Sequence, residues 1–197
     1  MFEPILEDDD IRIGVSAPSM IGEDIDLFIP FDALSASSIS EKKLDLLFLC
    51  GVTPEQAKPV INATDLGNCV IAYVESTTHN IDAIWHAVRS IKGKLDSKEM
   101  PNNIDVTDIR TLLNNSHHLF AFDNKAALVD FVWGNQIGDA TGVIYLAHGD
   151  IDLEDYGKVN KEISDVLPPY AVFTSSIFFA GNDACSALVG VKNSVLD

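Results

Sequence analysis

The sequence predicts an α/β protein, and three observations carry that expectation. Two apolar runs of strand length, LDLLFLCGV (44–52) and CVIAYVEST (69–77), flank a segment with helix-start and helix-stop residues. Strand, helix and strand at that spacing form a unit whose strands run parallel. The later part of the chain alternates helix and strand up to two closing strands, the pattern of an α+β layer with a sheet covered by two helices. A polar break, LDSKEMPNN (95–103), separates the halves, so the expected division is 1–100 and 101–197.

Taken in order, DIRIGVSAP (10–18) opens as a short apolar strand. IDLFIPFDAL (25–34) reads as another, and Pro30 ends it or confines it to an edge, because proline gives no N–H to a ladder. The run 44–52 is continuous rather than alternating, as in a strand buried on both faces. In TPEQAKPVINATDLG (53–67), Thr53 is a cap, Pro54 suits the first helical position, and Gly67 closes the helix. Pro59 predicts a kink inside it. The strand 69–77 follows. Asn80 caps a helix in which Ile81, Ile84, Trp85, Val88, Ile91 and Leu95 form one apolar stripe.

In the second half, IDVTDIRTLLNNS (104–116) is a short helix and HHLFAFD (117–123) a strand. NKAALVDFVWGNQ (124–136) is a helix with Ala127, Leu128, Phe131 and Val132 turned inward. TGVIYLAHGD (141–150) is a strand, and LEDYGKVNKEISDVL (153–167) is a helix stopped by Pro168 and Pro169. YAVFTSSIFF (170–179) and CSALVGVKN (185–193) are strands joined by AGND, which reads as a hairpin-like turn.

The chain has 197 residues, 47% of them hydrophobic, enough for one large core or two small ones. Lys and Arg total 13 against 30 Asp and Glu, a formal charge of −17. That surface repels phosphate backbones and anionic lipid, which argues against nucleic-acid and membrane-surface partners. Cys50, Cys69 and Cys185 lie in or beside apolar runs without paired spacing, so they read as buried thiols in a reducing compartment. No apolar run approaches a membrane span. The start, MFEPILEDDD, has neither the basic nor the apolar region of a signal peptide. The expectation is a soluble cytoplasmic protein.

One stretch stands out. In PNNIDVTDIRTLL (101–113), Asp105 and Asp108 stand three apart at the start of an apolar helical run. Residues at that spacing share a helix face, and carboxylates at a helix start cap backbone N–H groups and oppose the dipole. Capping accounts for both residues by itself. The order of the surrounding elements adds a second reading.

From residue 101 to 193 the chain resembles the C-terminal domain of FtsZ, the bacterial tubulin-like cell-division GTPase. That family has a loop of the form Asn-x-Asp-x-x-Asp leading into a helix. Here Asn103, Asp105 and Asp108 lead into Ile109-Arg110-Thr111-Leu112. Gly138-Asp139-Ala140-Thr141-Gly142-Val143-Ile144 is similar to the family's glycine-bearing strand, with the glycine spacing changed by one. YAVFTSSIFFAGNDACSALVGV is similar to its ending. The first half resembles the family's Rossmann-like nucleotide-binding half in reduced form. LDLLFLCGV stands where the strand before the phosphate loop stands, and the helix that follows carries Pro59 as the family's does. The opening MFEP is similar as well.

The departures shape the functional expectation. The family's phosphate loop is a glycine and threonine run, G-G-G-T-G-T-G, whose N–H groups wrap phosphates. Its place here is held by Gly51-Val52-Thr53-Pro54-Glu55-Gln56, with a proline that has no N–H and a glutamate that opposes phosphate. The family's earlier glycine loop is replaced by Ser16-Ala17-Pro18-Ser19-Met20. The stretch between VIAYVES and Asn103 is too short for the family's further nucleotide contacts and its long central helix. The FtsZ linker and tail are not found before Asp197.

In FtsZ the acidic loop enters the nucleotide pocket of the next subunit and orients the attacking water. The resemblance therefore implies a chain that keeps the loop and lacks the pocket. It would bind no GTP and no other cofactor, would not be an enzyme, and would be an interaction or regulatory protein of division-filament assembly. Its contact with FtsZ or another tubulin-like protein would run through Asn103, Asp105, Asp108 and Arg110. The alternatives are a minimal divergent GTPase with a pocket at Gly51–Gln56, and a structural homo-oligomeric module with an unrelated partner.

Other candidate chemistry is weak. His117, His118 and His148 lack metal-ligand spacing, and adjacent histidines in a strand point to opposite faces. Glu7 to Asp10 lacks the calcium-loop alternation and its glycine. Ser16, Ser19 and Ser35 to Ser38 lack a nucleophile-elbow context. Trp85 and Trp133 sit on apolar helix faces and read as core, and Asp150-Ile151-Asp152 reads as a helix cap.

Overall fold

The computed structural model of the chain describes residues 11–20, 25–63, 68–77, 80–97, 103–116, 118–134, 139–181 and 185–192. The opening MFEP, the acidic run to Asp10, Gly67, His117, Gly138 and Asp183 lie outside the described residues.

The elements alternate as the apolar runs predict. They are β1 (Ile13–Ala17), β2 (Phe28–Pro30), a 3-10 turn (Phe31–Ala33), α1 (Ala36–Lys42), β3 (Leu46–Cys50), α2 (Pro54–Ile61), β4 (Val70–Glu75) and α3 (Ile81–Ser97). The second half adds α4 (Val106–Asn114), β5 (His118–Phe122), α5 (Lys125–Gly134), β6 (Asp139–His148), α6 (Leu153–Val166), β7 (Val172–Phe178) and β8 (Cys185–Lys192).

All eight strands join one sheet in the order β2-β1-β3-β4-β5-β8-β6-β7. Strands β2, β1, β3, β4 and β5 pair in parallel, β6 and β7 likewise, and β8 runs antiparallel to both of its neighbours, β5 and β6. The sheet thus crosses residue 100 without interruption. Helices cover both faces. On one, α3 and α4 send Ile84, Trp85, Val88, Ile91, Leu95, Ile109 and Leu112 against residues of β1, β3, β4, β5, β6 and β8. On the other, α1 and α2 contribute Ile39 and Ala57 beside β3 and β4, while α5 and α6 contribute Leu128, Val132 and Ile163 beside the second-half strands. The stripe read from α3 is buried as its spacing requires, with Ile81 half-buried at its start. Lys94, on the same helix, is also fully buried.

Three details differ from the sequence expectation. First, β7 and β8 do not form a hairpin, because β6 lies between them. The reason is burial: β8 is apolar and buried from Cys185 to Val191 and belongs inside the sheet, whereas β7 has Thr174, Ser175 and Ser176 at its centre and takes the edge. Second, Trp133 is 76% exposed rather than core, and Ala127 is exposed while Leu128 and Val132 pack inward. α5 is apolar almost all round, so its sequence does not define an inner face. Third, the serine-rich run contains a helix, α1 (Ala36–Lys42), whose start is closed by a reciprocal cap between Ser35 and Ser38. Of the three thiols, Cys50 and Cys185 are buried and Cys69 is half-buried. Among the described residues no helix is long and apolar enough to cross a membrane.

Candidate functional site

The parallel strands have two ends, and each carries one of the motifs singled out above. At the carboxyl end, β3 stops at Cys50 and Gly51 adopts φ +64, which an L side chain rarely takes. A Cβ there would also come within 3.0 Å of Ile81 Cδ1. The chain then enters α2 through Thr53. Gln56 N donates to Thr53 Oγ1 at 3.3 Å, and Thr53 N donates to Gln56 Oε1 at 2.8 Å. This reciprocal cap engages the donors of the helix start, and Pro54 has none to offer. The Glu55 carboxyl is held below its ordinary range by its own backbone N–H and then by the Thr53 hydroxyl. Pro59 lies inside α2 without ending it.

A cleft of about 590 Å³ opens beside this turn, lined by Val52, Thr53, Tyr73, Glu75, Ile81 and Phe120 among others. Its polar wall is a linked set that sequence reasoning did not assemble. The Tyr73 hydroxyl lies 2.7 Å from Glu75 Oε1 and 3.1 Å from the Val52 carbonyl. Glu75 Oε2 lies 3.1 Å from His118 Nδ1. Burial first, and then Glu75, pushes the Tyr73 hydroxyl well above its ordinary value. The available signal was the alternation in VIAYVE, which puts Tyr73 and Glu75 on one face of β4. That His118 completes the set depends on the parallel register of β4 with β5, where Val74 pairs with Leu119.

At the amino end lies the start of α4. Asp105 Oδ1 accepts from Thr107 N at 2.7 Å and from Asp108 N at 3.1 Å. Asp108 Oδ2 accepts from Asp105 N at 2.9 Å. The two carboxylates therefore form a reciprocal cap, and each has its second oxygen outside those bonds. Asn103, Asp105 and Arg110 are exposed and Asp108 is half-buried. Arg110 Nη2 reaches the Asn68 carbonyl at 3.2 Å, tying α4 to the entry of β4. Ile104, Ile109 and Leu112 anchor the segment in the core. Leu112 can do so because Gly142 and Gly190 lie beneath it; a Cβ on either would fall within 2.9 Å of Leu112 Cδ1. The hollow beside the loop, about 910 Å³, is lined by Asp45, Asn68, Asp105, Thr107 and Arg110 among others. All four residues read from the sequence thus gather at one helix start.

Other candidates have ordinary places. His148 is buried, its ring 5.5 Å from that of His86 and 5.9 Å from that of Phe178. Among the described residues no cluster of three or more His, Cys, Asp or Glu could hold a metal ion. Asp152 caps α6, accepting from Glu154 N at 2.8 Å.

The fold is an open α/β sheet with helices on both faces, with a neutral self-capped helix start at one end and an acidic self-capped one at the other. No protein-family model and no curated protein matches the chain. Among solved structures it is similar to a mutant FtsZ from M. jannaschii, at 18% identity and a TM-score of 0.39, over 80% of this chain and 50% of that one. It is also similar to an empty FtsZ dimer from M. jannaschii, at 16% identity and a TM-score of 0.40, over 95% of this chain and 60% of that one. The chain spans about half to three-fifths of the length of these FtsZ structures.

Proposed function

We propose that the chain is a reduced FtsZ-like interaction protein that binds no GTP and contacts FtsZ through its acidic loop. The observation that carries this reading is the difference between the two ends of the parallel strands. Two carboxylates, the exposed Asp105 and the half-buried Asp108, stand at the amino end. The turn that would have to hold phosphate stands at the carboxyl end and is occupied by its own Thr53–Gln56 cap and by Pro54. A subunit of this kind offers a donor face without a receiving face. Added to a filament end, it would stop growth there.

The strand order fits a doubly wound nucleotide-binding type of half. The parallel part reads β2-β1-β3-β4-β5. That is one of the two common doubly wound orders, in which ligands sit outside the carboxyl ends of the strands, the end where the Thr53–Gln56 cap stands. The reading is tested by a pull-down with FtsZ loaded with a slowly hydrolysed GTP analogue. Retention of the chain is expected, and its absence sinks the idea. Calorimetric titration with GTP and GDP tests the other half: no heat of binding is expected, and saturable micromolar binding would favour a divergent GTPase.

A further inference from the structure

The two edges of the sheet are unlike. At one edge, β2 has three residues and ends in Pro30, which blunts it. At the other, β7 has seven residues and, among the described residues, pairs only with β6. Edge strands of soluble proteins are guarded by charge, proline or a bulge. β7 has no charged residue and no proline, and its register with β6 runs without a bulge from Val172 to Phe178. The uncharged stretch is longer than the strand: no Asp, Glu, Lys or Arg stands between Asp165 and Asp183. At the ends of β7, Tyr170 is 63% exposed and Phe179 49%.

We infer that β7 pairs antiparallel with β7 of a second copy of this chain, extending the sheet through a two-fold axis near Ser175. Charge opposes this occupant least at this edge, and symmetry of the strand favours it. At −17, two copies repel wherever their general surfaces meet, and a neutral edge is where that repulsion is least. A second copy of the same edge brings no charge to the contact. Shape agrees. An antiparallel two-fold sets Val172 opposite Phe178 of the second copy and brings Tyr170 beside its Phe179, so the apolar ends match each other. A stable interface needs a total burial of about 1,200 Å² or more. The exposed parts of four flanking aromatic rings, two of Tyr170 at 63% and two of Phe179 at 49%, add to the backbone and side chains of the paired strands. The acidic loop borders the hollow beside β3 and β4, away from this edge. The pairing therefore stands or falls independently of the FtsZ contact.

The test is sedimentation velocity of the full chain over a wide concentration range, with Thr174→Lys and Thr174→Val beside it. Lysine at Thr174 sets two like charges close together across the axis, while valine keeps a β-branched side chain. The expected result is a dimer of twice 21.4 kDa for the native chain and for Thr174→Val. Thr174→Lys should be a monomer with native circular dichroism and a concentration-independent urea midpoint, close to that of the native chain at a dilution where it is monomeric. A native chain that is monomeric throughout overturns the inference. So does a dimer that survives Thr174→Lys at native stability. Should the lysine variant not fold, amide exchange on the native chain decides: β7 protection that falls on dilution supports the pairing, and protection independent of concentration refutes it.

Discussion

The starts of α2 and α4 follow one local rule and end with different chemistry. Each is closed by a reciprocal cap in which the first residue's side chain takes a backbone N–H and the fourth residue's side chain returns the bond. At α2 the pair is Thr53 and Gln56, neutral, with Pro54 inside it. At α4 the pair is Asp105 and Asp108, and after capping each carboxylate still has an oxygen outside the cap. The same device therefore seals one end of the sheet and leaves the other end acidic. Capping does not exclude the proposed contact at Asp105 and Asp108, because one oxygen of each serves the cap and the other lies outside it.

The largest effect expected from breaking this comparison comes from beneath the acidic end. Leu112→Ala removes the side chain that seats α4 over Gly142 and Gly190 and should cost about 2–5 kcal/mol in urea unfolding. A cost below about 1 kcal/mol would mean that α4 is not anchored as described. Next come the caps. Asp105→Ala and Thr53→Ala should each cost about 1 kcal/mol, and Asp105→Asn only a few tenths, because asparagine caps nearly as well as aspartate. Unequal costs for the two alanine variants would show that the ends are not the same device.

A further effect, small just above pH 8 and growing from there, concerns pH. Burial raises the Cys69 thiol to about 11, with Asp45 adding to it, and burial raises Cys185 to about 11. A raised folded-state value stabilises the fold fully below the unfolded thiol value of about 8.5, and that contribution is lost as pH climbs towards 11. Urea midpoints should therefore be level below pH 8 and decline above it. Replacing Cys69 and Cys185 with alanine should lessen that decline, and buried Cys50, raised further still, should supply what remains.

Much of the first half was legible because its signals are local. Continuous apolar runs mark β3 and β4, an unbroken stripe marks α3, and Thr53-Pro54 marks the start of α2. The second half was legible element by element but not in its pairing. The turn residues before Cys185 suggest a hairpin, yet strand neighbours are set by which strand most needs burial, and that choice is made across the whole sheet. Trp133 was misjudged because α5 offers no polar face to orient it. The acidic cluster was legible from Asp105 and Asp108 alone. The Tyr73–Glu75–His118 set was not, since its third member arrives through a strand register that one sequence does not encode.

The central claim is that the carboxylates of α4 do something the caps do not require. The direct test is light-scattering assembly of FtsZ with GTP, with the chain titrated in below stoichiometry beside the Asp105→Asn/Asp108→Asn double variant. That variant removes both charges and keeps an acceptor at each cap. The account predicts that the native chain suppresses assembly at a small fraction of the FtsZ concentration and that the variant, folded but slightly less stable, does not. No suppression by the native chain at equimolar protein, or equal suppression by both, would contradict it.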